Sequence, residues 1–178
     1  MEKLKSQESV KTIIILAIIL ISTVGFVLGL RAVLKNEFPL MVVFSESMIP
    51  TLNVGDIIVI QGGLNADEIT VAPAPNGDII VFREPGDPND FIVHRAIDKA
   101  SGGFVTKGDN NPYPDRDPVP ENNIIGKVIY RIPLLGYLFL FLRTPLGLIV
   151  FITLILIFMF QEHIFQRKEK IKNQNHNN

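Results

Sequence analysis

The sequence predicts an all-β domain anchored by two transmembrane helices. Two observations carry that expectation. Two apolar runs near the ends of the 178-residue chain are each long enough to enter a bilayer. Between them lie six short β-branched runs separated by Gly, Pro, Asn and Asp, which is the pattern of strands and turns.

The first apolar run, Thr12 to Leu30, is flanked by Lys11 and Arg31 and contains no charge. As a helix it would extend about 28 Å, close to the thickness of the hydrocarbon core. It is too long for a cleavable signal peptide and no A-x-A site follows, so it reads as an uncleaved anchor. The second run, Thr144 to Gln161, lies between Arg143 and Glu162. Thr144 suits a helix N-cap and Pro145 the first helical position. Just before it, IPLLGYLFLFL (Ile132 to Leu142) is apolar but short, and fits either the membrane interface or the domain core.

Lys3, Lys5 and Lys11 precede the first run, and Arg167, Lys168, Lys170 and Lys172 follow the second. The positive-inside rule then places both tails in the cytoplasm and the middle of the chain outside. The expected organisation is a cytoplasmic tail over 1–11, a transmembrane helix over 12–34, an extracytoplasmic β-domain over 35–142, a second span over 143–161 and a cytoplasmic tail over 162–178.

Within the middle segment the strand candidates are LMVVF, DIIVI, DIIVF, FIVHRAI, GFVTK and IIGKVIY. Two long connections, GGLNADEITVAPAPNG and DNNPYPDRDPVPENN, are too polar and too rich in Pro to be elements, and such loops often carry function. Residues 36–131 hold fourteen Asp and Glu against seven Lys and Arg. A net charge of −7 on that segment argues against a nucleic-acid partner. The chain has no Cys, which excludes disulfides, a thiolate nucleophile and Cys-ligated zinc.

Three groups in the middle segment carry chemistry. Ser47, in Ser45-Glu46-Ser47-Met48-Ile49-Pro50, follows a strand-like run. It is sixteen residues past Arg31, so even a fully extended chain keeps it within roughly 55 Å of the bilayer edge. His94, in FIVHRAI, is the only imidazole between the two apolar runs, because His163 and His176 fall beyond the second. Strand alternation puts Phe91, Val93 and Arg95 on one face and Ile92, His94 and Ala96 on the other. The third group is Lys107-Gly108-Asp109-Asn110-Asn111 with Asp115 and Asp117 beyond it. A serine hydroxyl is a poor nucleophile until a base takes its proton, and the base needs an acceptor for its other ring N–H. One of these carboxylates suits that role, and the residues alone do not choose between Asp109 and Asp115. In a Gly-Asp-Asn turn, Asp109 is expected mainly to accept backbone N–H bonds.

In order along the chain, S-E-S-M-I-P-T-L, G-D-I-I-V-I, G-D-I-I-V-F-R, I-V-H-R and K-G-D-N-N with Asp115 six residues past Asp109 closely resemble signal peptidase I, specifically the archaeal and endoplasmic-reticulum type in which His replaces the Lys general base. The resemblance covers roughly Val42 to Ile129. It implies a signal-peptidase-like antiparallel β fold, a catalytic domain on the outer face of a membrane, no cofactor and no metal, and cleavage after a small residue. It further implies Ser47 as nucleophile, His94 as general base and Asp115 as the acid that orients it. Asp109 would support the site or its loop, and the Ser45 hydroxyl with the Ser47 N–H would stabilise the oxyanion. The implied partners are preprotein signal peptides and the protein translocation machinery, and the implied location is an archaeal plasma membrane; the two apolar runs add membrane lipid as a partner and more than one crossing. Three readings compete with it. One is a self-cleaving Ser/Lys peptidase with Lys107 as base; another is a non-catalytic, membrane-tethered β-domain that binds or assembles surface proteins; the third is a transporter subunit, which would put polar residues within the spans, where there are few.

Overall fold

A computed structural model describes residues 2–84, 87–157 and 160–161. The expected cytoplasmic tail over 162–178, with His163 and His176, lies outside the described residues. Helix α1 runs over Glu2–Val33, beginning ten residues earlier than the apolar run because nothing in Glu2 to Lys11 breaks a helix. Its stretch Val10–Val33 is long and apolar enough to cross a membrane, and none of it is buried against the protein. Lys35 ends the helix in the left-handed region (φ 48°), with the Asn36 N–H donating to the Arg31 carbonyl at 3.2 Å. The buried Asn36 amide then donates to the carbonyls of Ile60 and Ile125 at 3.5 and 3.3 Å. The anchor is thereby clamped directly to the sheet.

The sheet has six strands: β1 Leu40–Val42, β2 Ile57–Gln61, β3 Ile79–Glu84, β4 Asp87–Ala100, β5 Gly103–Lys107 and β6 Ile124–Ile132. All pairings are antiparallel, in the order β1-β2-β6-β3-β4-β5. Each of the six strand candidates forms its strand. The two long connections are not wholly irregular, since each holds one 3₁₀ turn, at Ala66–Glu68 and Glu121–Asn123.

Strand β3 explains the run IIVF. Ile80 and Val81 are both fully buried although they point to opposite faces, because the sheet is covered on both sides. On one face Val81 and Ile58 meet Met48, Leu52 and Val43 from the segment after β1. On the other, Ile80 and Phe82 meet Ile69, Ala96, Phe104 and Val119. Val119 is held there by paired backbone hydrogen bonds with Phe104 at 2.9 and 2.8 Å, so the Pro-rich loop closes as a lid on that face.

The end of β6 is tied back to the turn before β2. Buried Asp56 accepts from the Asn53 N–H at 2.8 Å and the Leu134 N–H at 3.3 Å, and pairs with Arg131 at 3.4 Å. Leu134 sits in the left-handed region (φ 64°), which costs a non-glycine residue roughly 1–2 kcal/mol and is held by that carboxylate. Helix α2, Gly136–Leu142, follows with its start docked on Gly55, and a third helix, α3, over Pro145–Ile157 lies at 92° to it. Thr144 caps α3 as expected: its hydroxyl accepts from the Gly147 N–H at 2.9 Å. Among the described residues, α2 and α3 together, as a bent pair, have the length and apolar composition of a membrane-crossing segment, and residues 160–161 are again helical.

Phe104 is the largest fully buried side chain and joins β5, the Pro-rich loop and the Ile80 face. Phe104→Ala should lower the unfolding free energy by about 3–5 kcal/mol, with an unchanged slope in denaturant titrations. A loss below 1 kcal/mol would show that the second core is not needed for stability.

Candidate active site

The turn after β1 holds Ser47 half-buried, between the exposed Glu46 and the buried Met48. Met48 and Leu52, 1% and 2% exposed, pin the turn onto the sheet, and the Leu52 N–H closes it on the Met48 carbonyl at 2.9 Å. Ser45 and Glu46 point outward into solvent, so the Glu46 carboxylate stays in water beside the site. The Ser45 and Ser47 hydroxyl oxygens are 3.1 Å apart, at hydrogen-bonding distance.

His94 lies on β4 opposite Ile80 and, as the alternation requires, shares the face of Ile92 and Ala96. The Phe82 ring stands edge-on to it at 6.5 Å. Its Nδ1 meets Asp115 Oδ2 at 2.6 Å, and the Thr106 hydroxyl from β5 donates to the same oxygen. Burial raises the Asp115 pKa, yet the hydrogen bonds from His94 and Thr106 together with the imidazole charge outweigh it and hold the carboxyl below its ordinary range. An ionised carboxylate only accepts, so in its neutral form the imidazole carries its proton on Nδ1 and leaves the lone pair on Nε2, which has no hydrogen-bond partner among the described residues.

Asp109 lies on the opposite face with Arg95. The guanidinium donates through Nε to Oδ1 at 2.8 Å and through Nη2 to Oδ2 at 2.6 Å, a bidentate pair whose side chains are 3% and 6% exposed. The Thr51 hydroxyl also donates to Oδ2, and Arg95 Nη1 reaches the carbonyls of Gly77 and Pro75. The expectation that Asp109 accepts mainly backbone N–H bonds is therefore corrected: side chains from two other segments fill its oxygens. Burial raises its pKa, but the Arg95 and Thr51 hydrogen bonds and the charges of Arg95 and Lys107 bring it below the ordinary value.

One loop touches both halves of the site. The Asn110 N–H donates to the Ser47 carbonyl at 2.8 Å, and its amide to the Glu46 carbonyl at 3.2 Å. Gly108 lies so close to Ser47 that a Cβ there would stand 2.7 Å from the Ser47 carbonyl. Seven residues past Gly108, Asp115 holds His94. The loop thus touches the serine turn through Asn110 and His94 through Asp115, while among the described residues no hydrogen bond joins Ser47 to His94 or to Lys107. Lys107 sits across from Arg95 in β5. Among the described residues no group of three or more His, Asp or Glu side chains is placed to hold a metal ion. Sequence reasoning missed Arg95, Thr51, Thr106 and Asn110; three of them stood inside the quoted motifs, and Thr106 directly precedes K-G-D-N-N.

A serine in an anchored turn, an imidazole and a half-buried carboxylate on its Nδ1 are the parts of a Ser/His/Asp serine peptidase. Comparison with known proteins gives the family. Residues 26–129 match the Peptidase S24-like family. The chain is 31% identical over 129 residues to the signal peptidase complex catalytic subunit SEC11 of Schizophyllum commune, and 34% identical over 120 residues to that of Colletotrichum graminicola. These alignments cover 61% of this chain and about two thirds of each relative, 67% and 66%. The sec11 subunit of Schizosaccharomyces pombe is 31% identical over 165 residues, covering 80% of this chain and 87% of the relative. The chain belongs to the Peptidase S24-like family, as a serine-type signal peptidase.

Asp109→Asn leaves the Arg95 guanidinium buried without its counter-charge, and loss of one partner of such a pair costs about 3–5 kcal/mol. A clear fall in Tm is expected, and a Tm unchanged within a degree or so would contradict the buried-pair reading. Both Asp109 and Asp115 have depressed folded values. Their contribution to stability is therefore present above the unfolded carboxylate pKa, about 3.9, and lost as pH falls through the lower folded values. Denaturant midpoints measured downward from about pH 5 should fall more steeply for the parent than for Asp109→Asn.

Proposed function

We propose that this chain is a membrane-anchored endopeptidase that removes N-terminal signal peptides from exported preproteins, cutting after a small residue. The observation that carries the reading is the His94–Asp115 pair at 2.6 Å, joined through the Asn110 loop to the turn that holds Ser47. Ser47 Oγ attacks the scissile carbonyl. His94 Nε2 takes its proton and returns it to the leaving amine, and Asp115 fixes the tautomer and stabilises the imidazolium. To engage the base, Ser47 gives up its contact with Ser45. The Ser45 hydroxyl is then free to join the Ser47 N–H as a donor to the tetrahedral oxyanion. Asp109 acts one step away, by holding Thr51 at the end of the serine turn.

The apolar α1 suits the substrate. A signal peptide lies in the bilayer with its cleavage site extended at the outer surface, and a domain clamped to its own anchor meets it there without three-dimensional search. In this reading the α2–α3 stretch is the second membrane contact, the domain between the anchors is extracytoplasmic, and both tails are cytoplasmic. The membrane is a plasma membrane of archaeal type, where emerging preproteins arrive from the translocation machinery.

Ser47→Ala should abolish processing of a preprotein while leaving membrane insertion intact, and Ser45→Ala should slow turnover on the order of 10²-fold. Asp115→Asn, which can present a donor to the imidazole and stabilise the wrong tautomer, should cost on the order of 10⁴-fold in turnover with substrate binding retained. Undiminished processing by purified Ser47→Ala would sink the serine mechanism. Equal turnover by Asp115→Asn and the parent would remove the carboxylate from it.

Topology has its own test. Protease added to right-side-out vesicles should digest the domain between the anchors while tags on both termini stay protected. A C-terminal tag that is cut would show that α3 does not carry the chain across.

A further inference from the structure

The loop that carries Asp115 is exposed for most of its length, yet its carboxylate has to stay on one nitrogen of one ring. Pro112, Tyr113, Pro114, Arg116 and Asp117 are all exposed, and the Asp115 side chain is itself 26% exposed. A carboxylate on such a segment turns about two single bonds. The contact with His94 orients it only if something rigid holds it from another side.

Thr106 is placed to do so. It lies on β5 opposite Ala96 of β4, so His94 is its diagonal neighbour on the same face. Diagonal side chains stand about 7–8 Å apart, too far for a direct hydrogen bond and near enough for one carboxylate to bridge. Asp115 fills that gap: Oδ2 accepts the His94 Nδ1–H at 2.6 Å and also the Thr106 hydroxyl. The main chain repeats the contact. The Asp115 N–H donates to the Thr106 carbonyl at 2.8 Å, so one strand residue grips both the backbone and the side chain of the aspartate.

Burial makes the grip stiff. Thr106 is 0% exposed, and it points inward as Phe104 does, on the face that also holds Ala96 and Ile80. A hydroxyl in such surroundings is costly unless it is paired, and an ionised carboxylate can only accept from it. The β-branched side chain has little freedom about χ1 in a strand. An apolar residue of the same shape would suit this packing better, so packing alone does not account for a hydroxyl here.

We propose that Thr106 is a positioning residue whose hydroxyl and carbonyl lock the Asp115 carboxylate against the His94 Nδ1–H and thereby aim Nε2 of the imidazole. The lock concerns the fold alone; its effect on turnover rests on the Ser/His/Asp peptidase reading.

Thr106→Val keeps the shape and removes the hydroxyl, while Thr106→Ser keeps the hydroxyl and removes the methyl. The first measurement does not use activity. With isotope-labelled histidine in the full-length protein in detergent micelles, the proton on His94 Nδ1 should give a resonance well downfield of the amide region, absent from His94→Gln. It is expected to persist in Thr106→Ser and to be lost to exchange with water in Thr106→Val. A resonance missing from the parent, or unchanged in Thr106→Val, overturns the proposal.

Turnover is the second measurement. On a preprotein, Thr106→Val should lower kcat about tenfold or more with KM and Tm close to the parent's, and Thr106→Ser should bring kcat back to within about threefold. Should Thr106→Val fail to fold, Thr106→Ala reports the same quantities. Equal kcat for the parent and the variant without the hydroxyl, or as deep a loss in Thr106→Ser, overturns the positioning role. A parent that cleaves no preprotein overturns the function reading, and the resonance then decides the lock by itself.

Discussion

The bidentate contact between Arg95 and Asp109 is the constraint on which the working end of the molecule depends. Taking two charges out of water is costly, and the cost is offset here only because nearly every donor and acceptor in the group has a partner. Those partners come from four places in the chain: β4, the loop after β5, the end of the serine turn at Thr51, and the carbonyls before β3. A pair satisfied in this way specifies one arrangement, because moving any of the four segments would strand a buried charge. Among the described residues no buried side-chain nitrogen or oxygen lacks a hydrogen-bond partner.

That constraint also explains how neighbouring residues of one strand serve different ends. Successive side chains of β4 point to opposite faces, so Arg95 enters the face covered by the serine turn while the adjacent His94 enters the face of Phe82 and Thr106. The loop from Gly108 to Asp115 wraps the end of the sheet and supplies one carboxylate to each. Asp109 fixes the framework and Asp115 fixes the imidazole tautomer. Their separate faces give the two acids separate work, although they stand six residues apart and both have depressed pKa values.

Much of the fold was legible because its periodicities are local. The β-branched runs became the six strands, the alternation in FIVHRAI put each side chain on its expected face, and Thr144 with Pro145 started a helix where a cap and a first-turn proline belong. What was not legible depended on contacts distant in sequence. Thr51 reads as a turn residue until Asp109 is brought to it across 58 positions. Asn110 gives no local sign that it will hold the Ser47 carbonyl. The stretch Ile132 to Leu142 could not be divided between core and interface by hydropathy, since both are apolar, and the exposure of α2 shows only that this helix is not core.

The sequence by itself determined the strand set, the anchor, and the residue types that serine chemistry requires, because each follows from the spacing of neighbouring side chains or from a motif contiguous in the chain. Only the tertiary structure decided which acid meets the imidazole, what Asp109 does instead, and that the apolar stretch after β6 bends by 92° rather than running straight. Those outcomes turn on directions and distances between segments that meet only when the sheet closes. Hydrogen bonds and ion pairs of a few ångströms have no counterpart in sequence spacing.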